Sequence, residues 1–217
     1  PAEELVQLGH RHDVPVYPCI NGGAPTQGTD AEMRAAASNI LWAGADGIYL
    51  WNYQYRDVQK LGYGRPVDEA YGLLDEIGSA AALRYSDKSF SLEREVTVAS
   101  YARACHPAQL PAEIAAGGPG SALRLRVGDD VAAAYRAGRL ADTTLRLQLD
   151  GLPHGADVVA ELNGGDLGSE VGRDGAVGFD VPGSLVRPGD NQLRVRVGGP
   201  ATGKVTLQAV SLDVGYR

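Results

Sequence analysis

Hydrophobic and polar positions follow two different periods along this chain. Up to about residue 90, apolar residues recur at helical spacing, interrupted by short apolar runs. Residues 2–11, AEELVQLGHR, place Leu5, Leu8 and Gly9 on one helical face, with Glu3 and Glu4 at the favourable end of the dipole. The run VPVYPCI (14–20) predicts a strand, followed by the loop NGGAPTQG (21–28). Thr29 and Glu32 have the spacing of a capping box and open a helix over 30–43, with Met33, Ala36, Ala37, Ile40 and Leu41 inward. Gly44 stands where a glycine ends such a helix, and ADGIYLWNY (45–53) predicts the next strand, roughly 47–52. A long loop covers 53–65, and Pro66 opens a helix that stops at Gly78.

From about residue 95 the period becomes two. ALRLRV (122–127), TLRLQL (144–149), DVVAEL (157–162), NQLRVRV (191–197) and KVTLQAVSLDV (204–214) all alternate apolar with polar residues. That is the mark of half-buried antiparallel strands. The turns LPHGAD, NGGD, RDGA and RPGDN separate them, and GGPGS (117–121) reads as a hairpin connection. Only DDVAAAYRA (129–137) interrupts the series, as a short helix. The first half, with apolar strands separated by helices, predicts a parallel sheet covered on both faces. Two strands do not make a stable parallel sheet. Residues 1–90 are therefore expected to be the end of a larger α/β domain, with its earlier units upstream of Pro1, and residues 91–217 a β-sandwich.

Two groups of residues carry a resemblance. RAAASNILWAGADGIYLWNY (34–53) and LLDEIGSAAALRYSDKSF (73–90) resemble the last units of the (β/α)8 barrel of bacterial glycoside-hydrolase-like proteins. AELNGGDLG (160–168) and GFDVPGSLVRPGDNQLRVRV (178–197) resemble a galactose-binding-like jelly roll, as often appended to glycosidases. The resemblance implies a TIM barrel fragment followed by a jelly-roll sandwich, and hydrolysis of O-glycosyl bonds in a polysaccharide or oligosaccharide. In such barrels the site lies at the C-terminal strand ends. That places Tyr17, Asn21, Trp51, Asn52, Tyr53 and Tyr55 at the mouth, where aromatic rings stack on sugar faces and amides and phenols bind hydroxyls. Alternation sets Tyr49, Trp51 and Tyr53 on one side of their strand and Ile48, Leu50 and Asn52 on the other, without deciding which side faces the helices; the aliphatic Ile48 and Leu50 suit the helix-facing layer, which favours Trp51 inside.

Glycosidases of this kind need two carboxylates about 5–10 Å apart. Neither strand end carries one, and Asp57 reads as a solvated loop charge beside Arg56. Catalytic residues are therefore left open, expected on upstream strands. The alternative is a non-catalytic carbohydrate-binding or structural module.

Charge and composition narrow the partners. The net charge is −7, with 12 acids and 7 bases before residue 91 and 15 and 13 after it. With no basic stripe, nucleic acid is not an expected partner. No run of about 18 apolar residues appears, so no helix is expected to cross a membrane. Arg outnumbers Lys 17 to 3, as in GC-rich bacteria; location stays open, with secretion or a periplasmic site compatible, and none of these 217 residues is expected to form a signal peptide. Cys19 and Cys105 fit no metal or redox spacing and are expected as buried free thiols, a long-range disulfide being the alternative. No His cluster suits a metal, no phosphate loop is present, and no cofactor is expected. Asp129, Asp130, Asp150 and Asp157 lack calcium-loop spacing. Tyr135, Phe179 and Tyr216 are the only aromatics expected on the sandwich surface, too few for a sugar platform.

Overall fold

The computed structural model describes residues 2–21, 28–51, 53, 71–92, 108–199 and 204–217, with Asn21 described in its backbone only. The first helix, α1 (Ala2–His10), buries Val6, whereas Leu5 and Leu8 stay exposed. Strand β1 (Cys19–Asn21) is shorter than VPVYPCI suggests. Pro15 and Pro18 lack the N–H that a longer ladder needs. The backbone still runs alongside the next strand, with Asp46 N–H donating to Val16 O (3.1 Å) and Tyr49 N–H to Pro18 O (3.0 Å).

Helix α2 (Asp30–Trp42) begins as its sequence requires. Thr29 Oγ1 accepts from Glu32 N–H (3.2 Å), and Glu32 Oε2 accepts from Thr29 N–H (2.8 Å). The chain then enters β2 (Tyr49–Trp51), which pairs parallel with β1 in the register Cys19↔Tyr49, Ile20↔Leu50, Asn21↔Trp51. Ile20, Met33, Ala37, Leu73 and Ile77 form a small core there, joined by the two short helices α3 (Leu74–Ile77) and α4 (Ala80–Leu83).

The remainder is an antiparallel β-sandwich. One sheet has the order β5 (Ser121–Val127), β10 (Gly189–Val197), β7 (Asp157–Leu162), β8 (Gly165–Val171). The other runs β3 (Lys88–Ser91), β11 (Lys204–Tyr216), β6 (Leu140–Asp150), β9 (Ala176–Asp180), with β4 (Ala112–Ala115) on the first part of β11. Helix α5 (Val131–Arg136) sits between β5 and β6, where DDVAAAYRA predicts it. The alternating residues meet as expected: Leu123, Leu125 and Val127 face the core with Leu145, Leu147, Leu149, Leu193, Val195 and Val197.

Three expectations change. GGPGS is not a hairpin: it carries the chain from β4 in one sheet to β5 in the other, so the two strands it joins are not paired. The strands β3, β4, β8 and β9 did not stand out in the sequence, because they are short or carry glycine and polar residues on both faces. Phe179, expected on the surface, is buried at 1 % exposure, since β9 turns it into the core.

Strand β3 straddles the expected boundary between residues 90 and 91, pairing Ser91 with Ser211 and Lys88 with Val214. Phe90 lies in the sandwich core at 1 % exposure. A fragment beginning at residue 86 is expected to unfold cooperatively. A fragment beginning at residue 92 loses Phe90 and should be less stable by about 3–5 kcal/mol. Urea denaturation of the two fragments checks this, and equal midpoints would remove β3 from the sandwich's stable core.

Helix α2 belongs to both halves. Met33 and Ala37 face the parallel pair, whereas Ala35 lies in the sandwich core cluster. Ser38 Oγ donates to Gly128 O at 2.6 Å. A Cβ at residue 128 would fall 2.4 Å from Ser38 O, so only glycine admits the helix this close.

Candidate functional site

The two-stranded sheet has one packed face and one bare face. Ile20 is buried, and with Ile48 and Leu50 it packs over α2, the helix-facing layer expected for those aliphatics. The strand period turns the intervening residues the other way. Tyr17, Tyr49 and Trp51 are 57 %, 49 % and 52 % exposed. The Tyr49 and Trp51 rings lie 6.3 Å apart, tilted by 56°. The Tyr17 ring lies over Gly47, where a Cβ would stand 2.8 Å from it. Three large rings thus share one open face, with Trp51 at the C-terminal end of β2 beside the backbone of Asn21.

The expected site residues divide accordingly. Tyr17 and Trp51 stand on the open face. Asn21 is their neighbour in backbone register, while Asn52 and Tyr55 lie outside the described residues. Tyr53 is a correction. Its ring is buried at 6 % exposure in the small core, edge-on to Tyr71 with centroids 5.7 Å apart. The chain leaves the extended conformation after β2, so strict alternation no longer applies there. Tyr49, on the correct side by alternation, joins the face in its place. Cys19 is a second correction: this thiol is free and exposed, because it pairs in register with Tyr49 on the bare side. Cys105 and Asp57 lie outside the described residues.

At the opposite end of the strands, Asp46 is a structural carboxylate. It accepts from Val16 N–H (2.7 Å) and from His10 Nε2 (2.8 Å). The Val16 N–H, and then His10, hold its carboxyl below the ordinary carboxylate range.

The sandwich uses its candidate polar groups for architecture. Asn163 and Gly164 take positive φ (52° and 82°) and close the tight turn between β7 and β8, as LNG suggests. The Asn163 amide also donates to Asn191 Oδ1 (2.7 Å) and to Leu185 O (2.8 Å). Asn191, fully buried, bonds Arg187 N–H and O and Gly189 O. The LNG and PGDN turns therefore clasp one another across the sheet. Asp130 caps α5 through Ala133 N–H, and Asp150 accepts from Gln208. Among the described residues, no group of three His, Cys, Asp or Glu side chains converges as metal ligands.

Asp129 serves a buried cluster. Its Oδ2 meets Lys88 Nζ at 2.7 Å and accepts from the Tyr216 hydroxyl at 2.6 Å. Lys88 Nζ also donates to Leu83 O (2.6 Å) and Ser86 O (3.0 Å). Burial lowers the Lys88 pKa against the pull of Asp129. Burial, and then the Asp129 charge, push the Tyr216 phenol well above its ordinary 10.0. A group whose pKa is raised on folding stabilises the protein below its unfolded value, and that contribution fades as pH rises through the folded one. Stability is therefore expected to fall above about pH 10 by way of Tyr216. Tyr216→Phe should flatten that alkaline slope in thermal melts; an unaltered slope would assign it elsewhere.

A broad depression of about 740 Å³ lies on the outer face of the first sheet, lined by Arg124, Arg194, Gln192, Glu161 and Asp190. Among the described residues no aromatic ring lines it, so these residues offer hydrogen bonds without a stacking surface.

No family model matches the sequence, and no curated protein matches it. Several solved structures show partial likeness, three of them as follows. One is a β-porphyranase of glycoside hydrolase family 86 from the human gut bacterium Bacteroides plebeius, at 15 % identity and TM-score 0.36 over 60 % of this chain and 21 % of that one. Another is an acetyl xylan esterase from the rumen bacterium Butyrivibrio proteoclasticus, at 13 % identity and TM-score 0.30 over 51 % and 28 %. The third is the CBM36-1 domain of a multidomain xylanase from the hindgut metagenome of Trinervitermes trinervoides, at 12 % identity and TM-score 0.32 over 60 % and 97 %. The chain spans less than a third of the length of the first two.

Proposed function

We propose that this chain is part of a carbohydrate-active protein of the glycoside-hydrolase kind. In this reading residues 1–90 supply the last β/α units of a (β/α)8 barrel, and residues 91–217 brace them. One observation supports the reading above the others. A parallel β1–α2–β2 unit packs its aliphatic face under α2 and leaves Tyr17, Tyr49 and Trp51 bare on the other. Rings exposed to this extent on a soluble two-stranded sheet need a cover. Further barrel strands, from chain outside these 217 residues, would enclose Tyr49 and leave Trp51 in the top layer, facing substrate.

Trp51, with Tyr17, would then stack on a sugar ring, and Asn21, Asn52 and Tyr55 would bind its hydroxyls. The acid and base would come from the other strands, because no described carboxylate stands at the tips of β1 or β2. That same observation favours, as a second reading, a carbohydrate-binding or structural module without catalysis.

The full-length protein, screened on a glycan panel, decides. Hydrolysis is expected, with affinity reduced about tenfold or more in Trp51→Ala, the loss of one stacked ring. Binding without turnover selects the second reading. Hydrolysis and binding both unchanged in Trp51→Ala would remove this face from the site.

A further inference from the structure

A second cleft, of about 340 Å³, opens where the helical part meets the sandwich, between the end of α2, the end of α4 and the start of α5. Trp42, Leu41 and Leu83 give it apolar walls, and Arg84, Tyr85, Asp129 and Asp130 give it polar ones. Its size is at the lower end for small-molecule sites, which run from about 300 to 1,000 Å³.

Several of its hydrogen-bonding groups are not used by the fold. The Arg84 guanidinium has no hydrogen bond to a described residue and only lies over the Tyr85 ring, at 4.9 Å. The Tyr85 hydroxyl and the Trp42 indole N–H likewise have no partner among the described residues, and Asp129 and Asp130 each engage one carboxylate oxygen only. Trp42 is 41 % exposed although one edge of its ring presses on Gly189, where a Cβ would stand 2.7 Å away.

Tyr85 adds an independent sign. Its φ is +65°, a left-handed conformation that costs an aromatic residue energy. The surroundings hold it there: its ring tilts against Tyr216 at 5.9 Å, with Arg139 5.8 Å above the ring. Strain of this kind persists where a side chain must be presented in one direction.

We infer that this junction cleft, with Trp42, Arg84, Tyr85, Asp129 and Asp130, is a binding site for a neutral mono- or disaccharide. The chemistry selects that class. A guanidinium and two carboxylates line the same cleft, so an ion of either sign meets a like charge there, whereas vicinal hydroxyls both donate to the carboxylates and accept from the guanidinium. The indole supplies the apolar surface that a sugar's C–H face requires. The site is separate from the open face of β1 and β2 and does not depend on the barrel reading.

The chain's two tryptophans distinguish the two places, since Trp42 lines this cleft and Trp51 the open face. In ¹H–¹⁵N spectra of the 217-residue chain, titrated with glucose, galactose, mannose, xylose and their β-1,4-linked disaccharides, at least one sugar is expected to move the Trp42 indole resonance. Arg84→Ala, an exposed change that breaks no hydrogen bond, should weaken that sugar at least about tenfold while leaving the melting temperature unchanged. Trp51→Ala should leave the affinity read at the Trp42 resonance unchanged. The inference is overturned if no sugar moves the Trp42 resonance, if only the Trp51 resonance moves, or if Arg84→Ala binds as tightly as the parent.

Discussion

Replacing Asn191 by Ala is expected to destabilise the sandwich by about 4 kcal/mol. This side chain is fully buried and bonds Arg187 twice, Gly189 once and Asn163 once. Its removal leaves two donors and two acceptors without partners around a fully buried position, each at a cost of about 1–3 kcal/mol, part of which relaxation and water at the part-buried groups return. For a chain of this length that corresponds to a fall in Tm of roughly 10 °C. Thermal melts of the single variant give the size. Asn163→Ala alone and with Asn191→Ala then tests whether the two turns act as a unit. Shared hydrogen bonds predict a double loss smaller than the sum of the single ones. Additive losses would mean that the clasp at 2.7 Å couples nothing.

The second large effect is expected at the buried cluster. Asp129→Ala should lower stability by about 3 kcal/mol, because a Lys88 ammonium with a side-chain exposure of 1 % loses its counter-charge and the Tyr216 hydroxyl its acceptor. The carbonyls of Leu83 and Ser86 keep the loss at the low end of the range for broken buried pairs. Lys88→Met with Asp129→Leu should recover much of it, since an apolar pair has no desolvation cost. Urea denaturation of the three proteins checks the order, and a double variant less stable than Asp129→Ala would mean that the charges matter in themselves. The consequence extends beyond the sandwich. Lys88 ties β3 to the carbonyls at the end of α4, so the cluster fixes the helical half against the sandwich and, with it, the walls of the junction cleft.

Much of the architecture was legible where one residue pattern has one physical solution. The alternation in ALRLRV and NQLRVRV fixed which residues of β5 and β10 turn inward, and the Thr29–Glu32 box fixed the start of α2. The opposed faces of Ile48–Leu50 and Tyr49–Trp51 followed from the strand period. The pattern lost its force where regular structure stops. Tyr53, two residues past Trp51, turned into the small core, and Cys19 came out exposed because its strand has no described neighbour on that side. Strand β8, with Gly165, Gly168 and mostly exposed positions, carries too little alternation to announce itself.

What the sequence determined by itself is therefore local: helix starts, turn glycines, the inward residue of each alternating pair, and the aromatic character of ADGIYLWNY. These depend on neighbours within a few residues, where backbone sterics and strand or helix period decide. Tertiary structure alone decided that LNG and PGDN clasp through Asn163 and Asn191, and that Asp129 gathers Lys88 and Tyr216 from strands far apart in sequence. It also decided that α2 serves both halves and that Trp42, Arg84 and Tyr85 border one cleft. Such juxtapositions leave no periodic trace, because they are made by packing between elements rather than by the period of any one of them.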